Sequence, residues 1–169
     1  AALLPTASLR GGGAGAAAAA VGLGALSVNA MSAAVEIKNL SALANATPEE
    51  FQKLAYAAQS VGIQQEKLSD ILKDMNDRVG DFIATGGGPM KDFFEQIAPK
   101  VGVTAEQFRN LSGPQALQLY VSSLEKANVN QQDFAFFMEA IASDSTALVP
   151  LLRNGGAAAQ AYADRLVAL

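Results

Sequence analysis

The ionisable chemistry of this chain is almost entirely carboxylate and ammonium. It has 16 acidic and 12 basic residues and neither histidine nor cysteine. The densest acidic set, Glu66, Asp70, Asp74, Asp77 and Asp81, is spaced by four, four, three and four residues, which places all five on one helical face. A hard cation needs oxygens that converge from several directions, and a straight helix face splays them apart. The set therefore reads as a solvated face, relieved by Asp70/Lys73 and Asp74/Arg78 pairs. Glu49/Glu50 and Asp92/Glu95 pose as acid/base pairs. Each falls in the first turn of an expected helix, where negative charge complements the helix dipole. Gly86-Gly87-Gly88-Pro89-Met90-Lys91 is glycine-rich like a phosphate loop, but it lacks the Gly-Lys-Ser/Thr ending and a preceding strand, so Gly86, Gly87, Gly88 and Pro89 read as a hinge.

Without histidine or cysteine, the usual zinc, haem and thiol chemistries and the commonest general base at neutral pH are missing. No catalytic, cofactor-binding or metal-ligating residue is expected, and the chain reads as a non-enzyme. The net charge of −4 argues against a protein that grips nucleic acid phosphates. No cysteine means no disulfide, and the redox compartment stays unread. Phe93, Phe94, Phe108, Phe134 and Phe137 fall at core spacing. Phe136, adjacent to Phe137, need not point inward and is a candidate contact surface.

The elements that would position these residues are helices. Thr47-Pro48-Glu49-Glu50 combines an N-cap, a proline at the first helical position and a glutamate at the third, a capping box. Phe51, Leu54, Ala55, Ala58 and Val61 follow, and Gly62 stops the run. Leu68, Ile71, Leu72, Met75, Val79, Phe82 and Ile83 stripe a longer helix. After the 85–89 break, a short helix with Phe93, Phe94 and Ile97 restarts before Pro99. Thr104 to Gln107 is a second capping box leading to Phe108 and Leu111. Ser112 opens a helix bearing Leu117, Tyr120, Val121 and Leu124, and Asn130 opens one bearing Phe134, Phe137, Met138 and Ile141. Leu148 to Leu152 ends at Asn154-Gly155-Gly156, and a last helix runs from Ala157 to Leu169. Strand signals are lacking. The expected fold is all-α, several short amphipathic helices in an irregular bundle. Two segments echo one another, Thr47–Leu54 with Thr104–Leu111 and Gly62–Leu68 with Asn128–Phe134. Either a duplicated helix-turn-helix or shared capping chemistry accounts for them.

Residues 36–169, with the hinge near 85–89, form the expected helical domain. Residues 1–35 are different: Gly11 to Val35 carries no charge and is mostly alanine and glycine. As a helix that run would span roughly 37 Å, enough for a hydrocarbon core of about 30 Å. Alanine and glycine gain little on transfer to lipid, however. The spacings Gly11/Gly15, Gly15/Ala19 and Ala18/Gly22 favour close helix packing, with Leu23 and Leu26 among the few large apolar residues. The readings are a packed or oligomeric helix, a conditional membrane segment, or an Ala/Gly linker. Arg10, the apolar run and Val28-Asn29-Ala30 also weakly resemble a signal peptide, but the missing initiating methionine favours an internal fragment.

The order of motifs from Ile37 to Leu166 resembles the tail tape measure proteins of long-tailed bacteriophages and prophages. The resemblance rests on Ile37 to Gly62, with the Glu49-Glu50-Phe51 and Leu54-Ala55 helix, on Leu68 to Leu72, on Val101 to Pro114, on Leu117 to Leu124, and on Ala147 to Gly156. Ala142 to Ser145 departs from the aromatic-glycine turn of the family. The resemblance implies an internal, non-catalytic segment of a long helical chain in the lumen of the virion tail. Such a chain sets tail length during assembly, contacts tail tube and tail tip proteins, and leaves ahead of the DNA at genome ejection, when it meets the host envelope. It implies a homo-oligomer, proximity to DNA without specific recognition, and no cofactor. The alternative is a membrane-associated or pore-forming protein in which Gly11 to Val35 inserts and the rest is a soluble helical domain. A small hydrolase is disfavoured by the absence of a convergent polar set.

Overall fold

The computed structural model describes residues 20–169, with side chains from Ala30 onward. The chain divides into two units, residues 1–38 and 39–169. All described elements are helical, in the order α1 (Ala20–Leu43), α2 (Pro48–Gln59), α3 (Gln65–Thr85), a π-turn (Phe93–Ile97), a 3-10 turn (Ala98–Val101), α4 (Ala105–Phe108), α5 (Gly113–Lys126), α6 (Gln131–Glu139), a second 3-10 turn (Ser145–Leu148) and α7 (Val149–Ala168). The protein is an all-α irregular bundle, with no strand among the described residues.

In the first unit, α1 is exposed over residues 30–36, Met31 by 69% and Val35 by 57%. In the second unit, α2 packs on α7, α7 on α5, and α5 on α3. The core they enclose contains Phe51, Leu68, Ile71, Leu72, Met75, Leu117 and Leu124. These are the apolar stripes expected from the 3.6-residue period. Phe82 and Ile83 lie at the end of the α3 stripe and are only half-buried.

Four helix connections share one geometry. Asn45, Gly62, Gly102 and Asn128 each take a left-handed conformation, at φ 55°, 82°, 72° and 55°. The next residue in each case is apolar and donates its N–H to the carbonyl five positions back: Ala46 to Ser41, Ile63 to Ala58, Val103 to Ala98 and Val129 to Leu124. The residue after that is the extended N-cap of the following helix: Thr47, Gln64, Thr104 and Asn130. This is a Schellman closure run directly into a new cap, and only glycine and asparagine tolerate its first position cheaply. The sequence echo maps onto this connection. Beyond the cap the copies diverge, since α2 runs 12 residues and α4 only four.

Four local expectations are corrected. Thr47 Oγ1 accepts the Glu50 N–H at 3.1 Å, but the Glu50 carboxylate does not close the box. It accepts instead from Ser112 Oγ at 2.7 Å, joining the caps of α2 and α5. Lys73 pairs with Asp77 at 2.6 Å rather than with Asp70, the i,i+4 spacing giving the shorter reach. The Phe93–Ile97 segment is a π-turn that ends before Pro99, and a 3-10 helix continues directly from it. Pro99 lies in the first turn of the 3-10 helix that follows, where its missing N–H costs little. The Thr104 segment makes a single turn ending at Phe108, because Ser112 opens α5 so soon after it.

Candidate contact surfaces and hinge

Gly11, Gly15, Ala18 and Ala19 lie outside the described residues, and Gly22, Leu23 and Leu26 lie on the part of α1 described by its backbone. Among the described residues, no helix is long and apolar enough to cross a membrane. Among the described side chains of the first unit, Met31 and Val35, one helical turn apart, are the large exposed apolar residues.

Gly86 to Pro89 is a braced turn. Gly86 (φ 73°) ends α3 and donates its N–H to the Phe82 carbonyl at 2.7 Å. Thr85 Oγ1 donates to the Asp81 carbonyl at 2.8 Å and accepts the Gly87 N–H at 3.1 Å. Gly88 (φ 85°) lies so close to the Asp81 carboxylate that a Cβ there would collide with it. Met90, just past the turn, is fully buried, and Phe82 stacks on Phe94 with ring centroids 4.7 Å apart. Two aromatic anchors on either side thus set the geometry of the turn.

Phe136 is 56% exposed, while its neighbour Phe137 is buried. It lines a groove of about 460 Å³ together with Gln96, Lys100, Asn128, Asn130 and Asp133. Beneath this surface the aromatic core centres on Phe93, whose ring meets those of Phe94, Phe108, Tyr120 and Phe137. Phe134 instead faces Arg153, whose guanidinium sits 4.5 Å over its ring.

The sequence gives no sign of how α6 ends. The Ile141 N–H turns to the Met138 carbonyl rather than to Phe137, and the Phe137 carbonyl accepts from Tyr120 Oη at 2.6 Å. Ser145 Oγ donates to the Met138 carbonyl, and Arg78 Nε to the Ile141 carbonyl at 2.6 Å. Burial raises the Tyr120 pKa, which keeps this donor protonated. Asp144 holds the Lys67 ammonium from 3.0 Å and raises its pKa by hydrogen bond and charge.

The carboxylates remain dispersed. No group of three or more that could hold a metal ion occurs among the described residues. Of the acidic face, Asp74 and Asp77 make i,i+4 pairs with Arg78 and Lys73. Glu49 lies 4.0 Å from Lys53, and Asp92 accepts from Gln96 at 3.5 Å. These are local helix-surface contacts, worth a few tenths of a kcal/mol each. No protein family, curated protein or solved structure matches the chain.

Proposed function

We propose that the chain is a structural segment of a phage tail tape measure protein, which sets tail length during assembly and leaves the virion ahead of the DNA at ejection. The observation that carries this reading is the junction at residues 35–39. An uncharged stretch whose described residues are exposed along α1 runs into a helical unit that builds its own core. An apolar helix without a polar face is normally enclosed on all sides. In a tail lumen, neighbouring copies of α1 and the tube wall supply that enclosure, so the segment works as a homo-oligomer in contact with tail tube and tail tip proteins.

The remaining features fit the same role. The net negative charge keeps the segment from adhering to the DNA that shares the lumen. Small helices joined by glycine and asparagine turns separate at modest cost, because a domain holds only about 0.05 to 0.15 kcal/mol per residue. The motif order from Ile37 to Leu166 points the same way.

Tail length is the direct test. In the phage that encodes this chain, in-frame deletion of the 21 residues of α3 is expected to shorten the assembled tail by roughly 30 Å, the rise of a helix of that length. Tails of unchanged length, measured by electron microscopy, would overturn the reading. Stable insertion of the purified chain into lipid vesicles would favour the pore-forming alternative instead.

A further inference from the structure

Asn154 and Gly155 are the only Asn-Gly pair in the chain. They lie in a break inside α7 where Asn154, Gly155 and Gly156 are all left-handed, at φ 56°, 70° and 85°. Left-handed geometry costs an ordinary residue roughly 1–2 kcal/mol. Glycine and asparagine reduce that cost, and α5 holds the turn from outside. The Asn154 N–H donates to both carboxylate oxygens of Glu125, at 3.0 and 3.2 Å. Arg153 lies 3.8 Å from the same carboxylate, which is only 22% exposed. Gln118 Nε2 donates to the Leu152 carbonyl at 2.8 Å.

We propose that Asn154 is a spontaneous modification site, where the side-chain amide converts to an acid through a cyclic imide, and that Glu125 is the latch that holds the site closed. In the reaction the Gly155 backbone nitrogen attacks Asn154 Cγ and loses its proton to water or hydroxide. A nitrogen–carbon bond forms, the bond from Cγ to the side-chain nitrogen breaks, and ammonia leaves. Water then opens the five-membered imide at either carbonyl, leaving aspartate or isoaspartate. No oxidant or enzyme is required, and Gly155 has no side chain to hinder the ring.

The folded turn opposes this reaction. The ring closes only when the Gly155 nitrogen and the Asn154 Cβ are nearly eclipsed about the Cα–C bond, whereas ψ of Asn154 is 44° and turns the nitrogen away. Asn154 is exposed, so water and hydroxide reach it, and the backbone rotation is what gates the chemistry. Glu125 pins the Asn154 N–H on one side of that bond, and Gly156, buried against Gln118, holds the other, so the rotation requires the turn to release from α5. Once made, the new carboxylate brings a second negative charge toward Glu125, and isoaspartate adds a methylene to the backbone. Either product prevents the turn from closing again as before, so conversion records that α7 has opened from α5.

Asn45 and Asn128 are internal controls. Both are left-handed, but alanine and valine follow them. The full chain, held at mildly alkaline pH and mapped by peptide mass spectrometry, is expected to convert at Asn154 about tenfold more slowly when folded than in urea, since only the opened turn reacts. Glu125→Ala is expected to speed Asn154 conversion in the folded chain about three- to tenfold, and Glu125→Gln by less, because a neutral acceptor holds the N–H more weakly. Asn45 and Asn128 should not change. Equal Asn154 rates in the folded and urea-treated chain would overturn the proposal. So would Glu125 variants that leave Asn154 unchanged, or that accelerate all three asparagines alike through general unfolding.

Discussion

Tyr120 shows how much a single side chain carries. Its hydroxyl is the partner of the Phe137 carbonyl left over at the end of α6, and the ring is fully buried against Phe93. Tyr120→Phe keeps the packing and orphans that carbonyl, so it is expected to cost about 1–3 kcal/mol in urea unfolding. Because burial raises the Tyr120 pKa, the folded chain retains this proton at pH values where the unfolded chain has lost it. The stability it contributes is fully present below the ordinary tyrosine pKa of about 10 and falls as pH rises beyond it. Tyr120→Phe should therefore flatten the loss of stability measured above that pH. Gly113 is constrained in a different way. A Cβ there would run into the Ala44 carbonyl oxygen, which is backbone and cannot swing aside. Gly113→Ala is expected to destabilise by about 1–3 kcal/mol in the same assay, although alanine is otherwise the better helix residue. Tyr120 was legible as a core position. Its hydrogen bond and the need for glycine at 113 were not, since both partners are distant in sequence.

Among the elements, the caps and stops were the most legible features, because they are satisfied within a few residues. Ser112 illustrates both the local and the distant part. Its hydroxyl accepts the Gln115 N–H at 3.2 Å, and Gln115 Oε1 accepts the Ser112 N–H at 3.1 Å, a complete local capping box. The same hydroxyl donates to Glu50, which no local rule predicts. Thr47→Ala should cost about 1 kcal/mol, the ordinary value of an N-cap, and Ser112→Ala somewhat more. A double-mutant cycle of Ser112→Ala with Glu50→Gln, read by urea unfolding, is expected to show coupling of about 0.5–1.5 kcal/mol. Additivity would mean that the contact between caps contributes nothing. The π-turn at Phe93–Ile97 and the early end of α4 were illegible for the opposite reason. Apolar spacing over four or five residues fits an α-turn, a π-turn or a 3-10 turn equally well, and the aromatic cluster around Phe93 selects among them.

At the scale of the whole molecule, the two units obey different rules. Residues 39–169 bury their apolar stripes among themselves, whereas α1 exposes Met31 and Val35 before that unit begins. If α1 is an assembly element, light scattering of the full chain in detergent-free buffer should give a multiple of the 17.4 kDa chain mass. Met31→Lys with Val35→Lys should return it to the monomer mass without moving the urea midpoint of the helical unit. A monomeric full chain would remove the oligomer from the tape measure reading. The sequence by itself determined the helical class, the apolar stripes, most caps and the stops at Gly62, Gly86 and Asn154-Gly155, because each is set by chemistry within one or two turns of chain. It also marked the uncharged run and the exposed Phe136. Only the tertiary structure decided which side chains close α6, why residue 113 must be glycine, that Glu50 serves Ser112, and that Glu125 holds the Asn154 turn. Apart from Ser145 with Met138, seven positions away, those contacts join residues 17 to 69 positions apart, and no local periodicity encodes a meeting at that separation.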